Sequence, residues 1–169
     1  MHEMPDCFKC GDYWYLLTTE YSDKSKTIYR MSKTLSGPWL APVDDAFDGS
    51  AYYAARSYSD GAHRYLFGWV PTKEDEDDAR SWQWGGTLVV HEVYQRADGT
   101  LGVKPPAGVA NAFAQEQTLL DKTMVLATQD SCSSALLASS TGDLFKLELQ
   151  VEFSAGTRAF GIRLCEDEA

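Results

Sequence analysis

Short aromatic and β-branched runs, spaced by turn residues, limit this chain more than any other feature. Residues 12–19 (Asp-Tyr-Trp-Tyr-Leu-Leu-Thr-Thr) form one such run, with Gly11 before it and a polar stretch after it. Residues 26–31 follow, and 52–58, 64–70, 87–95 and Leu101–Lys104 continue the rhythm. Ser59-Asp60-Gly61 and Ala97-Asp98-Gly99 carry the Asp-Gly pair that supplies a tight hairpin with its left-handed position. Ser36-Gly37-Pro38-Trp39 reads as a further turn. Strands at this spacing leave almost no room for helix and imply an all-β fold: propeller, sandwich or barrel.

The runs group into two blocks of about four strands, residues 3–43 and 48–104, each the size of one propeller blade. Pro105-Pro106-Ala107-Gly108 marks a boundary, and 109–118 reads as a short helix or an irregular connection. Beyond it, residues 123–128, 132–139, 144–153 and 158–164 are strand candidates. The strict alternation from Phe145 to Phe153 predicts a sheet with one wet face. Four strands make only part of a sandwich.

A net charge of −10 argues against nucleic acid, whose phosphates such a surface repels. No apolar run approaches the roughly 20 residues that span a bilayer, so no membrane partner is expected. Five of the acids sit together in Glu74-Asp75-Glu76-Asp77-Asp78, which lacks the spaced oxygen ligands and glycine of a calcium loop and reads as a solvated connection. His2, His63 and His91 are too scattered to suggest a metal site. Cys7-Phe8-Lys9-Cys10 has no second pair to complete a zinc site, and as a strand it places its thiols on opposite faces. Cys7, Cys10, Cys132 and Cys165 read as structural thiols ahead of a redox pair or a metal site. No metal or cofactor is expected, and no glycine-rich turn before a helix offers a phosphate cradle.

Four motifs in order resemble glycoside hydrolase family 32, the invertases, levanases and inulinases. Glu3-Met4-Pro5-Asp6 is similar to the family's Glu-Cys-Pro-Asp, and 52–58 (Tyr-Tyr-Ala-Ala-Arg-Ser-Tyr) to its Tyr-Ala-Pro-Gln-Ser-Phe. Arg64-Tyr65-Leu66-Phe67-Gly68-Trp69 is similar to its Arg-x-Leu-x-Gly-Trp, and Trp84-Gly85-Gly86-Thr87-Leu88 to its Trp-x-Gly-x-Leu. The likeness is specific over about 3–104 and generic over 118–164. It departs at Met4, where the family has Cys, and at Ala55-Arg56, where it has Pro-Gln.

The resemblance implies the last two blades of a five-bladed β-propeller over 1–104, a linker over 105–117 and the start of a β-sandwich over 118–169. It implies cleavage of fructose-containing sugars such as sucrose or fructans, with Glu3 as general acid/base. Tyr53, Trp69, Trp84 and Arg56 would bind the sugar. Retaining glycosidases need two carboxyl groups about 5–5.5 Å apart, one a nucleophile and one a proton donor. The family's nucleophile lies in Asn-Asp-Pro and a further motif is Arg-Asp-Pro; neither tripeptide occurs in this chain. Isolated, it is therefore expected to be inactive and to hold a sugar weakly or not at all. A non-catalytic carbohydrate-binding or interaction module, one half of a split glycosidase, and a related hydrolase acting on arabinosides are the alternatives. Its natural partner is then the missing N-terminal blades, and without them self-association is expected. Asp6, three residues after Glu3, should lie on the opposite strand face and make a structural hydrogen bond.

Overall fold

The computed structural model describes residues 2–21, 25–77, 79–113, 115–120, 122–126, 133–142 and 144–164. Their regular structure is almost entirely β. Strands β1 (His2–Cys10), β2 (Tyr13–Glu20) and β3 (Lys26–Ser32) form one antiparallel sheet in chain order. A second antiparallel sheet runs β4 (Tyr53–Ser59), β5 (Arg64–Lys73), β6 (Trp82–Gln95), β7 (Leu101–Lys104). The expected runs all become strands, with ends moved by a residue or two except that β5 continues to Lys73 and β6 begins at Trp82.

The hairpins form where the turn residues predict. Gly11 and Asp12 alone separate Cys10 from its partner Tyr13, and Gly11 takes φ +54°. In the β4–β5 turn Asp60 Oδ1 accepts from the Ala62 and His63 amides at 2.9 and 2.7 Å while Gly61 takes φ +97°. Asp98 does the same for Thr100 in the β6–β7 turn, through both its amide and its hydroxyl. The acidic run fills the β5–β6 connection, where Glu74 to Asp77 are exposed.

The first block has three strands where about four were expected. Its fourth segment runs beside β3 but makes only isolated bridges, Met31 with Leu40 and Ile28 with Ala46. Pro42 lies between the two bridges and has no N–H to donate, which interrupts a continuous ladder.

In β2 the alternation is complete: Tyr15, Leu17 and Thr19 are fully buried, with half-buried residues between them. Tyr15 and Leu17 meet Phe8, Tyr29, Met31 and Phe47 of the first half and Tyr52, Ala55, Leu66 and Leu101 of the second in one core. Burying such aromatics contributes about 1.5–3 kcal/mol each, provided their hydroxyls are bonded. They are: Tyr15 donates to the Gly99 carbonyl at 2.5 Å, and the Leu101 amide donates to the Tyr29 hydroxyl at 3.0 Å. Burial above all pushes the Tyr15 pKa up to about 12, so the hydroxyl remains a donor. On β1, Phe8 and Cys10 turn to this core while Cys7 faces solvent, so the two thiols lie on opposite faces. Cys132 and Cys165 lie outside the described residues.

Two compact units divide the chain, 1–112 and 113–169. After Lys104 comes one helical turn, α1 (Ala107–Ala110). Among the described residues of 113–164 no strand forms, in contrast to the four expected; the first of these, 123–128, ends and the second, 132–139, begins outside the described residues. Phe145 and Leu147 are half-buried but Leu149, Val151 and Phe153 are exposed. Alternation prepares a face, but a strand exists only when a neighbour accepts its amides. The backbone bond found there is a turn, Thr157 N–H to the Ser154 carbonyl at 3.1 Å. Phe153 and Phe160 stack within the unit at 5.0 Å.

Candidate functional site

The first strand of each sheet carries a bulge. In β1, Glu3 stands opposite Thr19 and Asp6 opposite Leu17, so Met4 and Pro5 share the single partner Thr18. In β4, Tyr53 stands opposite Trp69 and Arg56 opposite Phe67, so Ala54 and Ala55 share Gly68. Met4 and Ala54, the first bulged residue in each case, take nearly the same left-handed φ of +51° and +52°. Pro5 fits because a bulge leaves a donor unpaired and proline has none to lose. Gly68 fits because a Cβ there would lie 2.8 Å from the Tyr52 ring and 3.0 Å from the Ala55 Cβ.

The β1 bulge corrects the expected orientation of Asp6. One extra residue shifts the alternation by one step, so Glu3 and Asp6 project from the same face, as their partners Thr19 and Leu17 do. Both reach the second sheet. Tyr53 donates its hydroxyl to Glu3 Oε2 at 2.7 Å. Asp6 Oδ2 accepts from the Ser57 amide at 2.7 Å and from the Ser57 hydroxyl at 2.6 Å, and Arg64 donates to that hydroxyl oxygen at 2.8 Å. Asp6 thus makes the structural hydrogen bonds expected of it.

Around the Glu3–Tyr53 bond the aromatic residues converge. The Tyr53 ring meets Trp69 edge-on at 5.5 Å and Trp84 edge-on at 5.9 Å. Tyr21 lies nearly parallel to Trp84, 6.1 Å away at 9°, and edge-on to Tyr53 at 6.5 Å. Tyr53 is buried at 4% exposure and Glu3 half-buried, whereas Tyr21 and Trp84 form an exposed rim. Burial, followed by the bond to Glu3 and its charge, raises the Tyr53 pKa far above the ordinary tyrosine value. Its hydroxyl therefore stays protonated and donating.

Glu3, Tyr53, Trp69 and Trp84 thus come together. Arg56 does not join them: it is exposed, and its side chain makes no hydrogen bond or ion pair to another described residue. Tyr21 escaped the sequence reading. The two-residue turn at Gly11-Asp12 fixes Cys10 opposite Tyr13, and counting outward along the hairpin brings the end of β2 beside the start of β1. That count would have found it.

Chemically, the cluster offers a carboxylate braced by a phenol, apolar ring faces suited to sugar C–H surfaces, and a donor in waiting. The Trp69 Nε1 is buried and has no acceptor among the described residues. A buried unpartnered N–H costs about 1–3 kcal/mol, which a ligand oxygen would recover. No three His, Cys, Asp or Glu side chains converge among the described residues in a way that could hold a metal. Two shallow hollows, one beside Gly11, Lys33 and Arg96 and one beside Pro42 and Asp44, do not include Glu3.

No protein-family model matches this chain, and no curated protein does. Solved structures do. A thermostable family-43 glycoside hydrolase aligns over 62% of this chain and 36% of its own, with 20% identity and a TM-score of 0.51. A xylan β-1,4-xylosidase from Bacillus halodurans C-125 aligns over 61% and 22%, with 16% identity and a TM-score of 0.49. An exo-1,5-α-L-arabinanase from a bovine ruminal metagenomic library aligns over 61% and 38%, with 17% identity and a TM-score of 0.45. The chain spans little more than a third of the first hydrolase's length. Its all-β fold is glycoside hydrolase-like.

Proposed function

We propose that this chain is part of a retaining β-fructofuranosidase, with Glu3 as the general acid/base of cleavage at fructose-containing sugars. The observation that carries the reading is the Glu3 carboxylate held at 2.7 Å by Tyr53 inside the Tyr53–Trp69–Trp84 aromatic cluster. The order of the four family-32-like motifs supports fructose over other sugars. On this reading the two sheets are the last two blades of a five-bladed propeller, and 118–169 begins a sandwich. In the reaction, Glu3 protonates the leaving oxygen and later takes a proton from the attacking water, while a second carboxylate forms the glycosyl bond. Asp6 is committed to Ser57, and the Asn-Asp-Pro that carries the nucleophile in family 32 does not occur in this sequence, so on this reading the second carboxylate is supplied by another part of the enzyme and these residues alone do not turn over. Trp69 Nε1 and the rim rings of Tyr21 and Trp84 hold the sugar, and Arg56 lies free to reach it.

A second reading, with which the glycoside hydrolase-like fold is equally consistent, is the related hydrolase acting on arabinosides or other pentosides. One experiment separates them. Tryptophan fluorescence is titrated with fructose, sucrose and inulin, and in parallel with arabinose and xylose oligosaccharides. The fructose reading requires a weak saturable response to the first group that Trp69→Phe abolishes. A response to pentosides alone transfers the assignment to the second reading. No response to either group, together with no invertase activity on adding an N-terminal propeller portion of a family-32 enzyme, overturns both.

A further inference from the structure

The two bulges differ in the donors they leave over. At its second position the β1 bulge has Pro5, with no N–H, whereas the β4 bulge has Ala55, which carries one. The Ala54 and Ala55 residues are buried, at 5% and 0% exposure, so their amides need acceptors within the protein. The first sheet supplies both. Ala54 N–H donates to Thr19 Oγ1 at 3.0 Å, and Ala55 N–H to Thr27 Oγ1 at 3.3 Å. Thr19 and Thr27 are themselves fully buried, with hydroxyl oxygens 3.3 Å apart.

Proton accounting orders the pair. Each hydroxyl has one hydrogen to give. Thr27 donates its own to the Tyr52 carbonyl at 3.0 Å, so Thr19 is the donor in the contact between them. The two hydroxyls thereby hold the peptide groups on both sides of Tyr53. Thr19 is also the register partner of Glu3, and Thr18 donates to the Glu3 carbonyl at 2.9 Å. One residue thus places both members of the Glu3–Tyr53 bond.

We propose that Thr19 and Thr27 are positioning residues, a buried hydroxyl pair that fixes the β4 bulge and so delivers the Tyr53 hydroxyl to Glu3. The family-like motif has proline where this chain has Ala55, and a proline there would leave Thr27 no amide to accept. Met4-Pro5 in β1 shows that a left-handed residue followed by proline fits such a bulge. Ala55→Pro should therefore remove one of the two donors that Thr27 accepts from and lower the cost of losing its hydroxyl, a coupling that ordinary packing would not produce.

The test is amide hydrogen exchange by NMR on the whole chain without any sugar, so its outcome is separate from the fate of the functional reading. In Thr27→Val, the protection of the Ala55 amide relative to that of Leu66 in the central strand falls at least about tenfold, the loss of one buried hydrogen bond. The Tyr53 hydroxyl or ring resonances shift with it, and Thr27→Ser restores both. In an Ala55→Pro background, Thr27→Val costs at least about tenfold less in the unfolding equilibrium than in the native background. If Thr27→Val does not fold, folding of Ala55→Pro/Thr27→Val supports the proposal and its failure overturns it. Unchanged Ala55 protection, unmoved Tyr53 signals, or equal cost in both backgrounds each overturn it as well.

Discussion

Removing the Tyr53 hydroxyl while keeping its ring is the sharpest probe of the site. Tyr53→Phe preserves the edge contacts to Trp69 and Trp84 and deletes only the 2.7 Å donation to Glu3. Hydrogen bonds to charged groups contribute about 1.5–3 kcal/mol. Glu3 is half-buried, so water partly replaces the lost donor and the lower figure applies, about 1.5 kcal/mol. With a urea m-value near 1.5 kcal/mol/M, the midpoint should fall by about 1 M. All five tryptophans, Trp14, Trp39, Trp69, Trp82 and Trp84, lie in the 1–112 unit, so their fluorescence follows that unit alone. Combining Tyr53→Phe with Glu3→Ala in a double-mutant cycle isolates the pair, with an expected coupling of about 1–1.5 kcal/mol at pH 7. A coupling within about 0.3 kcal/mol of zero means the two side chains do not interact in solution, and the account of the site fails.

Other outcomes follow from the same geometry. A Cβ on Gly86 would lie 2.2 Å from the Val70 carbonyl oxygen, whereas one on Gly85 meets nothing within 4 Å; Gly86→Ala should cost roughly 2–3 kcal/mol and Gly85→Ala less than about 0.5, read as thermal midpoints. The Glu92 carboxyl is held below its ordinary value of 4.5, first by the bond from Lys104 at 3.0 Å and then by that from His63 at 3.1 Å. The folded state thus favours its ionised form. That stabilisation is complete above pH 4.5 and disappears as pH falls through the depressed folded value. Lys104→Met should flatten the acid limb of a melting-temperature profile, and a superimposable limb would refute the assignment. Phe67 and Leu88 are exposed at 44% and 67% and, through the Trp69–Leu88 register, share a face of the second sheet. Concentration-dependent self-association by light scattering is expected, and a monomer at all concentrations would count against further sheets packing on that face.

Turn chemistry is local, so Asp60-Gly61 and Asp98-Gly99 disclosed their hairpins directly, and β-branched and aromatic runs disclosed the strands between them. The bulges were hidden for a specific reason. Met4 and Ala54 take left-handed backbone without being glycine, so nothing in their identity announces the shift, and period-2 counting across Glu3–Asp6 gave the wrong face. Thr19 and Thr27 were hidden too, because a threonine bonded across sheets looks in sequence like any β-branched strand residue. The opposite failure occurs at Phe145–Phe153. There the alternation is cleanest and no strand forms among the described residues, because periodicity describes the faces of a strand and says nothing about its neighbours.

The quartets Glu3-Met4-Pro5-Asp6 and Tyr53-Ala54-Ala55-Arg56 divide the places where chain length is tightly constrained from those where it is not. Deleting Met4 would restore strict pleating with Glu3 still opposite Thr19 and still on the face of Asp6, so what would be lost is the bend that the left-handed residue gives the strand. A one-residue deletion between Asp6 and Cys10, where the pairing is regular, would instead exchange inside for outside for every residue upstream of it. Glu3 would then swing away from the tyrosine that holds it. Homologous chains that share this site should therefore tolerate exchanges at the second and third positions of each quartet, yet keep the interval from the fourth residue to the following hairpin turn unchanged.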